Sequence, residues 1–444
     1  MRDALRLIAV LALVLGSAAR PDAERFGYPA EEFVARREKL VTALRAQSAD
    51  GTVILFSASD TTPGVRFRQD HDFYYLTGSE ALNAALVIDV ASRDSHLFMP
   101  RLTPTQVQYD GGNWLNERDA ADKYKFKSIQ PIGELRAFLG GRRSGITTVW
   151  ARLTDRDEID LGRSEVATHV KRRMVNPFAQ YPTEDAARAA ALREQLASST
   201  LHDVTPHLDR LRMIKSLREI EILRYNGRIS AEAMARAIAT TAAGRWEYEL
   251  EAEATGWMIK HGFQMAAYPA IVGSGPMGNQ WHYQDNGRRM NAGDLVVMDY
   301  AGSLDYLTTD ITRTWPVSRG FTIEQQKAYD AVLETQKAII AAMKPGLERM
   351  AMRRIAEDTM RKHGFDPRHA YTGHYVGLSV HDVGDWGLPL AEGMVLAIEP
   401  IIDLPDKQLH VRIEDTVLVT ATGAEVLTSA VPKEISELLG LMKR

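Results

Sequence analysis

The sequence predicts a mixed α/β (α+β) chain in two unequal parts, and three observations carry that prediction. The chain has 444 residues, too many for one compact core and suited to two or three domains. Stretches with helical apolar spacing are interspersed with short apolar runs of strand length. A polar break at residues 198–200 places a boundary near Asp203, giving a smaller α/β domain over 24–203 and a larger domain over 204–444.

Composition narrows the class further. An apolar content of 45% and a charged content of 25% are ordinary for a soluble globular protein. The net charge is −4 with no basic block, so nucleic acid is not an expected partner. The chain has no cysteine, which excludes disulfides, thiolate metal sites and cysteine nucleophiles together. No internal repeat or low-complexity segment is present.

Residues 1–19 have the layout of a secretory signal peptide. Arg2 and Arg6 precede an apolar run from Leu7 to Leu15, and small residues follow, with Ala18 or Ala19 before cleavage. The run is too short to span a bilayer as a helix, so no stable membrane span is expected. An amphipathic terminal helix is the weaker reading, because Ile8 to Leu15 has no polar face. The expected location is periplasmic or secreted, with the cytoplasm as the alternative.

In the first domain the apolar spacing predicts a helix over Ala30 to Gln47. Strands are expected at Thr52 to Phe56, Ala84 to Val90 and His96 to Met99, and another helix at Glu184 to Leu196. Between them "FRQDHDFYYLTG", Phe67 to Gly78, is aromatic and polar at once. The second domain opens with a long helix from Ser216 to Ile238, where Ser216 and Glu219 form a capping box.

The chemistry lies further on. "DLVVMDYAGSLDYLTTDITRTW" reads as two strands about a tight turn. A pairing centred between Leu304 and Asp305 sets Asp299 opposite Asp310, where like charges repel unless a cation lies between them. "MVLAIEPIIDLPDKQLHVRIED" repeats the geometry: a turn at Asp406 and Lys407 sets Glu399 opposite Glu414. Singly, each acid would be a solvated strand residue. Together, four acids on apolar strands form a cluster that requires cations, since a buried carboxylate without compensation costs several kcal/mol. Carboxylate oxygens suit manganese, or cobalt and zinc where imidazole joins them. Such a cluster can hold two ions roughly 3.5–4 Å apart. Histidine completes it: His374 and His381 flank Gly377, where the chain must bend to bring both to one side. His282 follows a glycine-rich loop that lacks the lysine of a phosphate cradle.

These segments, "MDYAG…TTDITRT", "GHYVGLSVHDVG", "GMVLAIEP" and "VRIEDTVLV", resemble the metallopeptidase family of aminopeptidase P, prolidase and methionine aminopeptidase. "FRQDHDFYYLTG" resembles the amino-terminal domain of aminopeptidase P. The resemblance implies a C-terminal pita-bread catalytic domain and release of the N-terminal residue from peptides with proline second. It implies that Asp299 binds one metal, that His374 and Glu399 bind the other, and that Asp310 and Glu414 bridge both. A hydroxide held between the ions would attack the carbonyl before proline. Glu399 would pass its proton to the departing nitrogen, His381 and His282 would hold substrate and oxyanion, and Arg412 would orient the carboxylates. Two divalent ions, manganese first, are the implied cofactors, proline-containing peptides the substrates, and a dimeric or tetrameric homo-oligomer the assembly.

The chain departs from the family where many relatives carry a histidine four residues before the ligand histidine. Here that position is Ala370, with His369 alongside, which implies an altered substrate pocket and an intact metal set. An Xaa-Pro dipeptidase, a non-peptidase hydrolase with the same two metals and a non-enzymatic binding module remain the competing readings. The loop Asp382 to Glu392, "DVGDWGLPLAE", favours the aminopeptidase, because it holds three acids and no base for a substrate carboxylate. Arg288 and Arg289 are bases that could reach the pocket from elsewhere.

Overall fold

The computed structural model describes residues 26–442 apart from 48–49, 62–64, 143–144, 319 and 368–369. The leader and His369 therefore lie outside the described residues. The first domain is built on a six-stranded mixed sheet with strand order β4-β3-β2-β1-β5-β6. These strands are β1 (Thr52–Phe56), β2 (Ala85–Asp89), β3 (Ser95–Met99), β4 (Ser128–Pro131), β5 (Thr148–Ala151) and β6 (Thr200–Asp203). Strand β1 is continuously apolar because both faces are covered. Val53 and Leu55 pack in one cluster with Leu40 and Leu44 of helix α1 (Ala30–Arg45), and Ile54 packs in another with Leu139 and Leu192. The polar break at 198–200 leads straight into β6, which pairs in parallel with β5. Its alternating exposure is the reason no apolar run announces it.

Two further helices of this domain matter below: α2 (His71–Thr77) and α3 (Arg163–Met174). In the second domain α4 (Leu217–Thr240) starts at the Ser216 cap, with the Glu219 side chain returning to the Ser216 N–H at 2.8 Å. The second domain wraps antiparallel sheets. One has β7 (Ile271–Ser274) and β11 (Thr312–Pro316) on either side of β8 (Leu295–Asp299). Its hairpin tip is β9 (Gly302–Leu304) and β10 (Leu307–Thr308). A four-stranded sheet includes β12 (His374–Tyr375), β13 (Val395–Ile398) and β16 (Asp415–Val419), and β14 (Ile401–Leu404) pairs with β15 (Leu409–Arg412). Helix α5 (Ile323–Ala342) covers this side.

The first hairpin corrects the expected register by two residues. Leu304 pairs with Leu307 and Asp299 with Thr312, so the turn is Asp305–Tyr306 and Asp299 does not lie directly opposite Asp310. Leu304 is buried and stays in the ladder, while Asp305 and Tyr306 take left-handed φ of 46° and 69°. That pair of angles suits a two-residue hairpin turn. A shift of two residues leaves each side chain on its original face. The second hairpin has the expected register throughout: Ile398 pairs with Asp415 and Ile401 with Arg412.

"FRQDHDFYYLTG" joins the two domains. Arg68 donates to His71 Nε2, Ser303 Oγ and the Tyr306 carbonyl at 2.8, 2.9 and 2.6 Å, and Tyr74 stacks on Tyr306 with ring centroids 3.5 Å apart. Beside it, Arg212 binds Asp72 at 2.8 Å and Asp157 at 2.6 Å from the first domain, and Asp382 at 2.6 Å from the second. All four groups are buried. Desolvation alone would raise the Asp72 pKa, but Arg163, Arg212 and Arg152 hold it well below the carboxylate range. Among the described residues no helix is long and apolar enough to cross a membrane.

Removing one partner from such a network strands buried charge. Arg212→Ala should lower the unfolding free energy by about 3–5 kcal/mol, measured by urea denaturation with tryptophan fluorescence. A loss below about 1 kcal/mol, the size of a surface ion pair, would show that the neighbouring bases suffice.

Candidate metal centre

Three groups of ligand atoms fall within 4.8 Å of one another: Asp299, Asp310 and Glu414; His374, Glu399 and Glu414; Asp310, His374 and His381. Every residue expected at the metal site is thus in one cluster, supplied by the ends of β8, β12, β13 and β15 and by the Thr309–Ile311 link before β11. Glu399 and Glu414 fall where the ladder passes from one sheet to the other. At that break the buried Gln336 of α5 donates to the Ile398 and Ile413 carbonyls, both at 3.1 Å. The Glu414 N–H donates to the Thr312 carbonyl at 3.0 Å. Satisfying these backbone groups lets two carboxylates turn inward without orphaning the chain that carries them.

Three of the four acids are also held from the side. The Thr312 hydroxyl donates to Glu414 Oε2 at 2.7 Å. Thr416 ties the backbone of Asp310, accepting from its N–H at 2.8 Å and donating to its carbonyl at 2.7 Å. Arg412 Nη2 lies 3.0 Å from Asp299 Oδ2. Asp415, the remaining acid of "HVRIEDTVLV", points the other way, to Arg313 and Lys433, each at 2.7 Å. The strand therefore splits its acids: Glu414 joins the cluster and Asp415 pairs with bases.

Tyr268 is a member that sequence reasoning missed. Its hydroxyl lies 2.6 Å from Asp299 Oδ1 and 2.5 Å from Asp310 Oδ1. A hydroxyl has one proton to give, so the second contact is satisfied when Asp299 carries a proton. Burial, then repulsion from Asp310, pushes Asp299 up to about 8. Burial and the Asp310, Glu399 and Asp299 charges likewise push Glu414 well up. Nothing in residue type or spacing marks Tyr268, which sits before β7 in an ordinary apolar stretch.

His374 is prepared as a ligand. Its Nδ1 bonds to the Tyr375 carbonyl at 3.0 Å, and a carbonyl only accepts, so Nε2 is the nitrogen free to bind. That Nε2 faces Glu399 at 3.2 Å, Asp310 at 3.4 Å and Glu414 at 3.8 Å. Gly373 permits the approach: its φ is +114°, and a Cβ there would fall 1.8 Å from the Ala397 carbonyl oxygen. The bend after Gly377 brings His381 back, with its ring 4.2 Å from that of His374 in a T-shaped contact. His381 Nδ1 meets Glu165 of the first domain at 2.7 Å. His282 is exposed at the rim. Partial desolvation and the nearby Arg412 charge lower its pKa, and His381, Glu165 and Glu399 are its other charged neighbours.

The residues fit a metal. Four carboxylates and one imidazole match hard and borderline divalent ions. Glu414 Oε1 is buried without a hydrogen-bond partner, which is an acceptor waiting for a cation. Ala370 is buried, at 8% exposure.

The two arginines that could reach the pocket have protein partners. Arg288 is held by Ser274 and Asp294, both at 2.6 Å, and Arg289 by the Gly244 carbonyl at 2.7 Å. Arg288 is thereby committed to protein partners. Asp382 of the loop is turned inward to Arg212 and Lys215, leaving Asp385 and Glu392 as its outer acids. A base does approach that loop from a neighbouring helix: the Arg349 guanidinium lies 4.6 Å from the Trp386 ring centroid.

A pita-bread domain with this cluster at its centre defines a metal-dependent peptidase. Residues 221–421 match metallopeptidase family M24, and residues 33–150 match the aminopeptidase P N-terminal domain. The Xaa-Pro aminopeptidase of Haemophilus influenzae is 30% identical, with 93% of this chain and 97% of that one covered. The zinc-substituted Escherichia coli aminopeptidase P, solved with its product, is 28% identical with a TM-score of 0.79, covering 94% and 98% of the two chains. The Xaa-Pro dipeptidase of Homo sapiens is 26% identical, covering 94% of each. The chain belongs to metallopeptidase family M24 and carries the aminopeptidase P type of amino-terminal domain.

Tyr268→Phe removes the hydroxyl that spaces two ligands, and the loss of such a supporting contact costs about 10–100-fold in metal affinity; competitive titration with a chelating dye checks it. Because Asp299 must lose its proton to bind, metal uptake should release protons below about pH 8. Affinity should therefore weaken as pH falls from there. Calorimetry in buffers of different ionisation enthalpy reads the protons directly, and none released at neutral pH would contradict the assignment.

Proposed function

We propose that this protein is a metal-dependent Xaa-Pro aminopeptidase, releasing the N-terminal residue from peptides with proline in second position. The convergence of Asp299, Asp310, His374, Glu399 and Glu414 in a chain matching Xaa-Pro aminopeptidases over both domains carries this reading. Asp299 would hold one ion, His374 and Glu399 the other, and Asp310 and Glu414 would bridge them. When bound, such ions supply Lewis acidity and lower the pKa of water toward neutrality. Manganese is the proposed metal, with cobalt or zinc as alternatives. The chain's own groups do the rest. Glu399 takes a proton and returns it to the departing proline nitrogen. His381 and His282 hold the scissile carbonyl and stabilise negative charge as it develops there. Arg412 keeps Asp299 oriented through its 3.0 Å contact.

The leader pattern of residues 1–19 supports export as part of this proposal. Homo-oligomerisation is proposed as well, supported by Val175, Phe178 and Tyr181, which are exposed together beyond the end of α3. A second reading, Xaa-Pro dipeptidase, is favoured by Arg349, whose guanidinium beside Trp386 could take a carboxylate directly after proline.

Asp310→Asn should abolish turnover while the fold persists, because a bridging oxygen and a compensating charge vanish together. Metal analysis checks it, and a mutant with two ions per chain and normal turnover would contradict the role. For substrate length, Xaa-Pro peptides of three or more residues should give higher kcat/KM than matching dipeptides. A tenfold preference for dipeptides that disappears in Arg349→Ala would establish the dipeptidase instead.

A further inference from the structure

His381 differs from the other imidazoles of the site in taking its partner from the first domain. Glu165 stands on the opening turn of α3, with its carboxylate oxygens 2.8 and 2.7 Å from His381 Nδ1. The same carboxylate accepts from the Gly162 N–H at 2.8 Å, capping the helix. Gly162 is pressed against His381: a Cβ there would fall 2.6 Å from the His381 carbonyl oxygen. Nearby, the Val380 N–H donates to the Ile159 carbonyl at 2.7 Å, and the Ser379 hydroxyl to the Glu158 carbonyl at 2.6 Å. Segment 158–165 is thus stitched to segment 379–381 along its length. No residue of α3 is buried, so packing along the helix does not fix it; its first turn, at the active site, does.

We propose that Glu165 is a positioning residue for His381, supplied by the first domain to the catalytic site of the second. The proposal rests on the Xaa-Pro peptidase reading for its kinetic assay. An ionised carboxylate only accepts, so the proton of this contact sits on Nδ1, and the carboxylate supports the imidazolium form in which the Nε2–H donates to the scissile carbonyl. Contact with both oxygens fixes the ring plane, as carboxylates do for catalytic and metal-binding imidazoles elsewhere. The amino-terminal domain then completes the active site chemically as well as covering it.

Two variants separate this role from helix capping. Glu165→Gln keeps a side chain able to cap α3 and removes the charge, whereas Glu165→Ala removes both. Each is assayed on an Xaa-Pro tripeptide, alone and in the His381→Ala background. Glu165→Ala should lower kcat about 10–100-fold with KM and metal content little changed, and Glu165→Gln should lose less. Neither should add a loss once His381 is gone. A full multiplicative loss in the His381→Ala background would overturn the proposal, since Glu165 would then act on another group. A second readout needs no turnover: in protein carrying isotope-labelled histidine, the slowly exchanging His381 Nδ1–H signal should vanish in Glu165→Ala. If the wild type cleaves no Xaa-Pro peptide but shows that signal and its loss, the pairing stands and the substrate reading falls. A signal indifferent to Glu165→Ala overturns the pairing whatever the activity.

Discussion

The mutual repulsion of four carboxylates buried within reach of one another is the constraint around which this protein is organised. Burial of one carboxylate is costly, and burial of several together is tolerable only with cations, protons or both. The chain itself offers Arg412 against Asp299 and the raised pKa of His374 against Asp310 and Glu399. Its remaining response is to raise the pKa of Asp299 and of Glu414, through burial and the repulsion of their neighbours. Divalent ions resolve the conflict better, and the same conflict gives the site its affinity for them. The hydroxyls of Thr312, Thr416 and Tyr268 and the amide of Gln336 serve one end: they hold backbone and oxygen atoms where repulsion would otherwise spread them.

How much of this the sequence disclosed follows from which signals are local. The pairing of Glu399 with Glu414 was legible because Pro405 and the polar residues after it mark the turn between two apolar runs. The pairing of Asp299 was misplaced by two residues, because "LDY" contains no glycine or proline and the left-handed pair proved to be Asp305–Tyr306. Face parity survived the error, so the cluster was still found. Tyr268, Gln336 and Glu165 were invisible for another reason. Each reaches the site from a distant part of the chain, and no periodicity encodes a contact across more than thirty residues. Strands β4, β5 and β6 escaped for the simpler reason that they are short and partly polar.

The two domains are less separable than their sequence boundary suggests. The core cluster containing Leu40 and Phe73 of the first domain also contains Ile222 and Met298 of the second. Arg212, nine residues past the boundary at Asp203, binds acids from both sides. One of those acids is Asp382, the residue after His381, so the charge network that joins the domains ends beside the catalytic cluster. The motif "FRQDHDFYYLTG" works at this seam: its polar residues enter the ion network and its aromatic residues enter the shared core.

The Asp305–Tyr306 turn carries a consequence for how the protein opens. A bulky residue at positive φ is disfavoured by roughly 1–2 kcal/mol relative to a right-handed conformation, and here that residue is a tyrosine. What keeps it there belongs to the other domain: the stacked ring of Tyr74, the Gln69 N–H on its hydroxyl at 3.0 Å and Arg68 on its carbonyl. The hairpin whose strands lead to Asp299 and Asp310 is thus closed by a clasp fastened from outside its own domain. Local opening of residues 68–74 would release that clasp and loosen the hairpin that leads to the metal ligands. A fragment lacking the amino-terminal domain would retain the ligands without the contacts from Arg68, Gln69 and Tyr74 that hold their hairpin shut.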